Sequence, residues 1–174
     1  MKRLLAIFLM LLVLIITLAT PILAAGPSLH KATGGGTAVL TLYGSEDTFR
    51  STYTFTVQQL DETGHAKGNL VVIFAHGTLN HKHEADIKYA YFESDAVYMS
   101  GVIIRTYRPE WIGMTLSFAA QDNGEGNQAT GLDKVSHTVI GGPIDVAVDS
   151  EFRDRLFGYP LGGITLTNGN VQIK

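Results

Sequence analysis

Three histidines, His76, His81 and His83, stand close together between two apolar runs of the chain. In an extended backbone Leu70, Val72, Phe74 and His76 share one face, and His81 and His83 share the face of Ile87, Tyr89 and Tyr91. A four-residue hairpin loop over residues 77–80 would set His76 opposite His81. Three imidazoles would then converge at one end of a sheet, a ligand set that suits Zn²⁺ or Cu²⁺. With an open fourth position such a metal would activate water for hydrolysis. The same residues read equally as solvated histidines around a hairpin tip, and His-x-His followed at once by Glu84 does not have the cupin spacing.

A second group is acidic. Asp122, Glu125 and Asp133 sit in the longest polar stretch, residues 121–134, among Asn123, Gly124, Gly126 and Gly131. Carboxylates on a glycine-permitted turn suit Ca²⁺. The order departs from the EF-hand, and an ordinary hydrophilic turn accounts for the same composition. Nucleophilic catalysis has little support: there is no Gly-x-Ser-x-Gly elbow, and Ser136 and His137, adjacent on an extended chain, point to opposite faces. Tyr98, Tyr107, Trp111 and Tyr159 would serve either as a sugar-stacking platform or as core and sheet-edge aromatics. No cofactor is expected from composition, and Zn and Ca are the ions that the two clusters would favour.

The elements that must position these groups are legible in the rest of the chain. Of 174 residues, the first 25 read as a signal peptide: Lys2 and Arg3, an uncharged Leu/Ile-rich run to Ala19, Pro21, and a cleavage site after Ala24 or Ala25. An uncleaved anchor is the alternative, since residues 4–23 have about the ~20-residue length of a bilayer span. Without Lys2 and Arg3 the chain carries 11 basic and 16 acidic residues, with no basic cluster along the sequence. That argues against nucleic acid or anionic lipid as partner, and no membrane association is expected after cleavage. The absence of cysteine excludes disulfides, thiol catalysis and thiolate metal sites.

Residues 26–36 read as a flexible leader in which Gly34, Gly35 and Gly36 let the chain turn, and residues 37–174 as a single β-domain. Tyr53, Phe55 and Val57 alternate with polar neighbours, the pattern of a half-buried strand, and they form the expected core with Val72 and Phe74. Further strands are expected over 37–43, 69–76, 86–91, 96–105 and from Met114. Gly101 marks a bulge or close backbone approach, residues 139–148 a broken strand, and 149–157 the only helix-like window. Asn168 and Gly169 read as a type I′ hairpin turn between two short strands, or as a kink in one. Strands at this spacing without helical crossovers predict an all-β fold, an antiparallel meander closed into a barrel or folded as a β-sandwich.

Several segments together resemble a family of small exported bacterial proteins of unknown function with a post-COAP-1 domain. They are Lys31 with Gly34, Gly35 and Gly36; residues 74–93 with their His-rich connection; residues 96–102; Asp122, Asn123, Gly124, Glu125 and Gly126 with Asp133; and the closing residues 169–173. The resemblance implies a secreted all-β domain and transfers no catalytic residues; the cysteine pair found in some such proteins is absent here. The reading that follows is a secreted, non-catalytic binding or structural module of the envelope or extracellular space, with a metal-dependent enzyme as the alternative.

Overall fold

The computed structural model describes residues 29–41, 48–77, 79–124, 131–146, 148–158 and 163–174. The proposed signal peptide and Glu125 lie outside the described residues. Six long strands run in sequence: β1 (Lys31–Thr41), β2 (Thr48–Gln59), β3 (His65–His76), β4 (Leu79–Phe92), β5 (Ala96–Thr106) and β6 (Thr115–Gln121). Shorter strands follow, β7 (Lys134–Val135), β8 (Val139–Ile140), β9 (Ile164–Thr165) and β10 (Asn168–Ile173), with one helix, α1 (Ser150–Gly158). All strands belong to one antiparallel sheet of order β10-β1-β2-β3-β4-β5-β6-β7-β9, with β8 also on β6. The sheet curls into a half-barrel, the all-β antiparallel architecture that the alternating pattern predicts.

The concave face is apolar because one residue in two is. Tyr53, Phe55 and Val57 of β2, Leu70 and Val72 of β3, Ile87 of β4, Met99 of β5 and Phe118 of β6 are buried in one cluster. The Tyr53 and Phe118 rings stack with centroids 5.3 Å apart, and Phe55 meets Phe118 edge-on at 5.9 Å. Phe74, expected in the core, is only partly buried and packs at its margin.

A second, smaller cluster covers the convex side of β5 and β6. Tyr98, Ala96 and Ala119 pack there with Val146 and Leu156. Asp149 caps α1 through its carboxylate, which accepts the Phe152 N–H at 2.8 Å. The buried Arg153 of α1 donates to the Val146 carbonyl at 2.7 Å and lies 3.8 Å over the Tyr91 ring. Small residues let the preceding segment lie flat, with the Ser100 hydroxyl donating to the Ile144 carbonyl.

Three expectations change. Strand β1 begins at Lys31, so Gly34–Gly36 lie inside it rather than ahead of it; a Cβ on Gly34 would strike the Phe55 ring, and one on Gly36 would strike the backbone of β10. The β3–β4 loop is shorter than four residues, and His76 pairs with Leu79 rather than His81. Asn168 and Gly169 are not a hairpin turn. β9 pairs with β7, and β10, which contains both residues, pairs with β1, so one C-terminal run serves two neighbours and kinks between them. Gly101 does mark a close approach, since a Cβ there would collide with the Asp86 carbonyl beside a register shift in β4–β5.

Candidate functional site

One end of the sheet gathers the β3–β4 hairpin, the end of β5 and the start of β6. Register places the histidines there: Phe74 pairs with His81, Val72 with His83, and His83 in turn with Thr106. Cross-strand partners share a face, so His81 and His83 belong to the concave side with Val72 and Phe74. His76 closes β3 two positions beyond Phe74, and its side chain lies outside the described residues. The backbone register brings His81 and His83 to this end, and pairs His76 with Leu79 rather than with His81.

The two described imidazoles are held by rings. His83 is 3% exposed. It stacks on Trp111 at 5.5 Å and meets Phe74 and Tyr107 edge-on at 5.8 Å and 5.4 Å. His81 meets Tyr107 edge-on at 3.9 Å. The covering rings come from the β5–β6 connection, where Pro109–Trp111 form a 3-10 turn. Arg108 lies 4.8 Å over Trp111 and donates from Nε to the Tyr107 hydroxyl at 3.0 Å. Of the four aromatics singled out in the sequence, Tyr107 and Trp111 meet here. Tyr98 lies in the α1 cluster, and Tyr159 is outside the described residues.

Protonation states at this end favour neutral groups. Burial, then the neighbouring His81, holds the His83 pKa below the ordinary imidazole value. Thr106 Oγ1 lies 3.0 Å from His83 Nδ1 and accepts the Arg108 N–H at 3.2 Å. Burial pushes the Tyr53 phenol up to about 12, so it is a permanent donor.

Sequence reasoning missed Ser51 and Tyr53 as polar members of this end. Among the described residues, three buried side-chain polar atoms have no hydrogen-bond partner: Ser51 Oγ, Tyr53 Oη and His81 Nδ1. Ser51 pairs with Phe74, which pairs with His81, and Tyr53 pairs with Val72, which pairs with His83. The orphaned groups thus occupy two neighbouring rows of one face. The Ser51 hydroxyl is near enough to draw the Tyr53 pKa down a little against burial, yet forms no hydrogen bond of acceptable geometry with it. The signal was present in the sequence as a serine in phase with an apolar stripe.

Asp122 and Asp133 of the acidic group hold backbone. Asp133 is buried; its Oδ1 accepts the Asn123 N–H at 2.9 Å and its Oδ2 the Val171 N–H at 2.6 Å. Asp122 accepts from Gly124 at 2.8 Å and from Ile173 at 3.3 Å. Both carboxylates therefore fasten β10 to the β6–β7 connection. Among the described residues no group of three or more His, Asp or Glu side chains is placed to hold a metal ion.

Comparison of the chain with protein-family models, with curated proteins and with solved structures finds no match.

Proposed function

We propose that this chain is a secreted, non-catalytic β-barrel domain that binds its ligand at the end of the sheet carrying His81 and His83. The observation that carries the reading is the collection of Ser51 Oγ, Tyr53 Oη and His81 Nδ1, all buried and unpartnered, beside the ring wall of Phe74, Tyr107 and Trp111. A buried polar group without a partner costs about 1–3 kcal/mol, so three of them in adjacent rows call for an external partner. Closure into a barrel is supported by the C-terminal run, bonded to β7 and to β1 and fastened by Asp122 and Asp133. Export is supported by the composition of residues 1–25.

Removing an orphaned hydroxyl tests the site without knowledge of the ligand. Tyr53→Phe and Ser51→Ala should each raise the unfolding free energy of the ligand-free protein by about 1 kcal/mol, because a desolvation penalty disappears with the group. Urea melts read this directly. A loss of more than about 1 kcal/mol in either variant would show that the hydroxyl is satisfied within the fold and that no ligand is awaited there.

A second reading, a Zn²⁺-dependent enzyme using His76, His81 and His83, is favoured by the unpartnered His81 Nδ1 alone. Titration with Zn²⁺ decides it: tight binding lost in a His81→Ala, His83→Ala double variant supports the metal, and equal weak binding by both proteins eliminates it.

A further inference from the structure

Tyr107 and Trp111 cover the two histidines from one short segment, residues 107–112, and that segment is folded on itself. The Trp111 N–H donates to the Arg108 carbonyl, the Ile112 N–H to the Pro109 carbonyl and the Met114 N–H to the Trp111 carbonyl. The Arg108 N–H donates to Thr106 Oγ1 and its Nε to the Tyr107 hydroxyl, while its guanidinium pairs with Glu110. Among the described residues, no hydrogen bond or ion pair of residues 107–112 reaches beyond Thr106 and Met114. The segment is held down by rings instead. Tyr107 meets His81 and His83, Trp111 stacks on His83, and Trp111 packs at the margin of the main core. Contacts of this kind separate without breaking a hydrogen bond.

Both ends of the segment suit a pivot. Gly113 has a φ of 88°, and the space around it is open, since an added Cβ would meet nothing within 4 Å. At the other end Thr106 stays with the sheet, its Oγ1 3.0 Å from His83 Nδ1. What lies beneath favours movement. With the segment down, Ser51 Oγ, Tyr53 Oη and His81 Nδ1 are shut away from solvent without partners, and lifting it would hydrate them. Tyr107, already 42% exposed, loses little cover by leaving.

We propose that residues 107–112 are a lid that swings between Thr106 and Gly113, and that the unpartnered groups beneath it hold it close to opening. The proposal rests on the reading of this end as a ligand site and supplies the route into it: the ligand enters when the lid lifts and replaces the water that the open form admits. Ring stacking draws the lid down, and the stranded polar groups oppose it. Lid motions of this size run on the microsecond to millisecond scale.

Diethyl pyrocarbonate, which acylates neutral imidazoles, reads the lid at His83, 3% exposed when the lid is down. His65, whose side chain is 54% exposed, is the internal reference. Site-resolved mass spectrometry of the protein after timed exposure to the reagent should show His83 acylated more slowly than His65, at a rate that low urea leaves unchanged, because local opening exposes little surface. In a Ser51→Ala, Tyr53→Phe double variant the His83 rate should fall about fivefold, since the open form no longer gains from hydrating the hydroxyls, while the His65 rate stays the same. A His83 rate that climbs with urea in step with global unfolding overturns the proposal, as does urea-independent labelling that the double variant leaves unchanged. Failure of the lid and failure of the ligand site are told apart, because labelling of the parent tracks the lid alone, whereas the urea melts of Tyr53→Phe and Ser51→Ala report on the hydroxyls alone.

Discussion

At the scale of single residues, His83 is the group whose surroundings most constrain what it does. It is buried under Trp111, Tyr107 and Phe74, with Arg108 over the Trp111 ring and His81 beside it. Because its folded pKa lies below the ordinary value, the unfolded chain binds the proton more readily. Its contribution to stability is therefore intact above about pH 6.5 and is lost as pH falls through the window between that value and its folded pKa. His137, also held low by burial, titrates in the same direction, so the comparison must be between variants. His83→Gln should flatten the acid-side slope relative to the parent while His137 keeps part of it. Trp111 emission should fall as His83 protonates and stay level in His83→Gln. An unchanged slope would mean that protonated His83 finds water at no cost. Parity placed His81 and His83 on the face of Ile87, but not on that of Tyr89 and Tyr91, which the register shift after Ile87 turns to the other side with Tyr98. It could not show that the partners would be aromatic rings, because Tyr107, Arg108 and Trp111 reach them only through a turn whose path is set by Pro109 and the Gly113 backbone, with its φ of 88°.

At the scale of elements, strand periodicity located every long strand, and the errors fell where glycine and asparagine have two uses. Gly34–Gly36 were read as a pivot. They are the places where β1 lies against Phe55 and crosses β10 too closely for a side chain. Asn168 and Gly169 carry the composition of a tight turn, but a hairpin needs both arms to pair with each other, and here the arms have different partners. Asp133 was read as a Ca²⁺ ligand from its loop, and the fold adds that its oxygens accept backbone N–H groups of Asn123 and Val171, the second of which belongs to the other edge of β10. Asp133→Ala should therefore cost about 2–3 kcal/mol, the penalty of leaving a buried N–H unpaired when its charged acceptor is removed. Amide exchange at Val171 should accelerate in the same variant. A cost under about 0.5 kcal/mol would mean that solvent replaces the carboxylate and that β10 is held by β1 alone.

At the scale of the whole molecule, stability depends on joining the two ends of the chain. β1 and β10 pair across more than a hundred residues, from Ala32 with Ile173 to Thr37 with Asn168, and the Thr167 N–H donates to the Thr37 carbonyl at 2.7 Å. Val171, fully buried, contributes the apolar side chain that β1 itself cannot, since its central positions are glycines. Without β10 the glycine stretch of β1 would have an unpaired edge beside Phe55. Pairing at such sequence separation is entropically costly and slow to form, so the sheet should gain its last edge late in folding. A chain ending at Thr167 should thus lose its cooperative urea transition and near-ultraviolet dichroism while keeping strand-rich far-ultraviolet signal. A synthetic peptide of residues 164–174 added in excess should restore the transition by strand addition, its main chain supplying the hydrogen bonds and Val171 the packing. Phe55→Ala in the intact protein, which removes a fully buried ring between β1 and Phe118, should cost about 3–5 kcal/mol by comparison. A truncated chain that melts cooperatively within about 1 kcal/mol of the intact protein would show that the curl of β1 to β6 is self-supporting and that the C-terminal run merely decorates its edge.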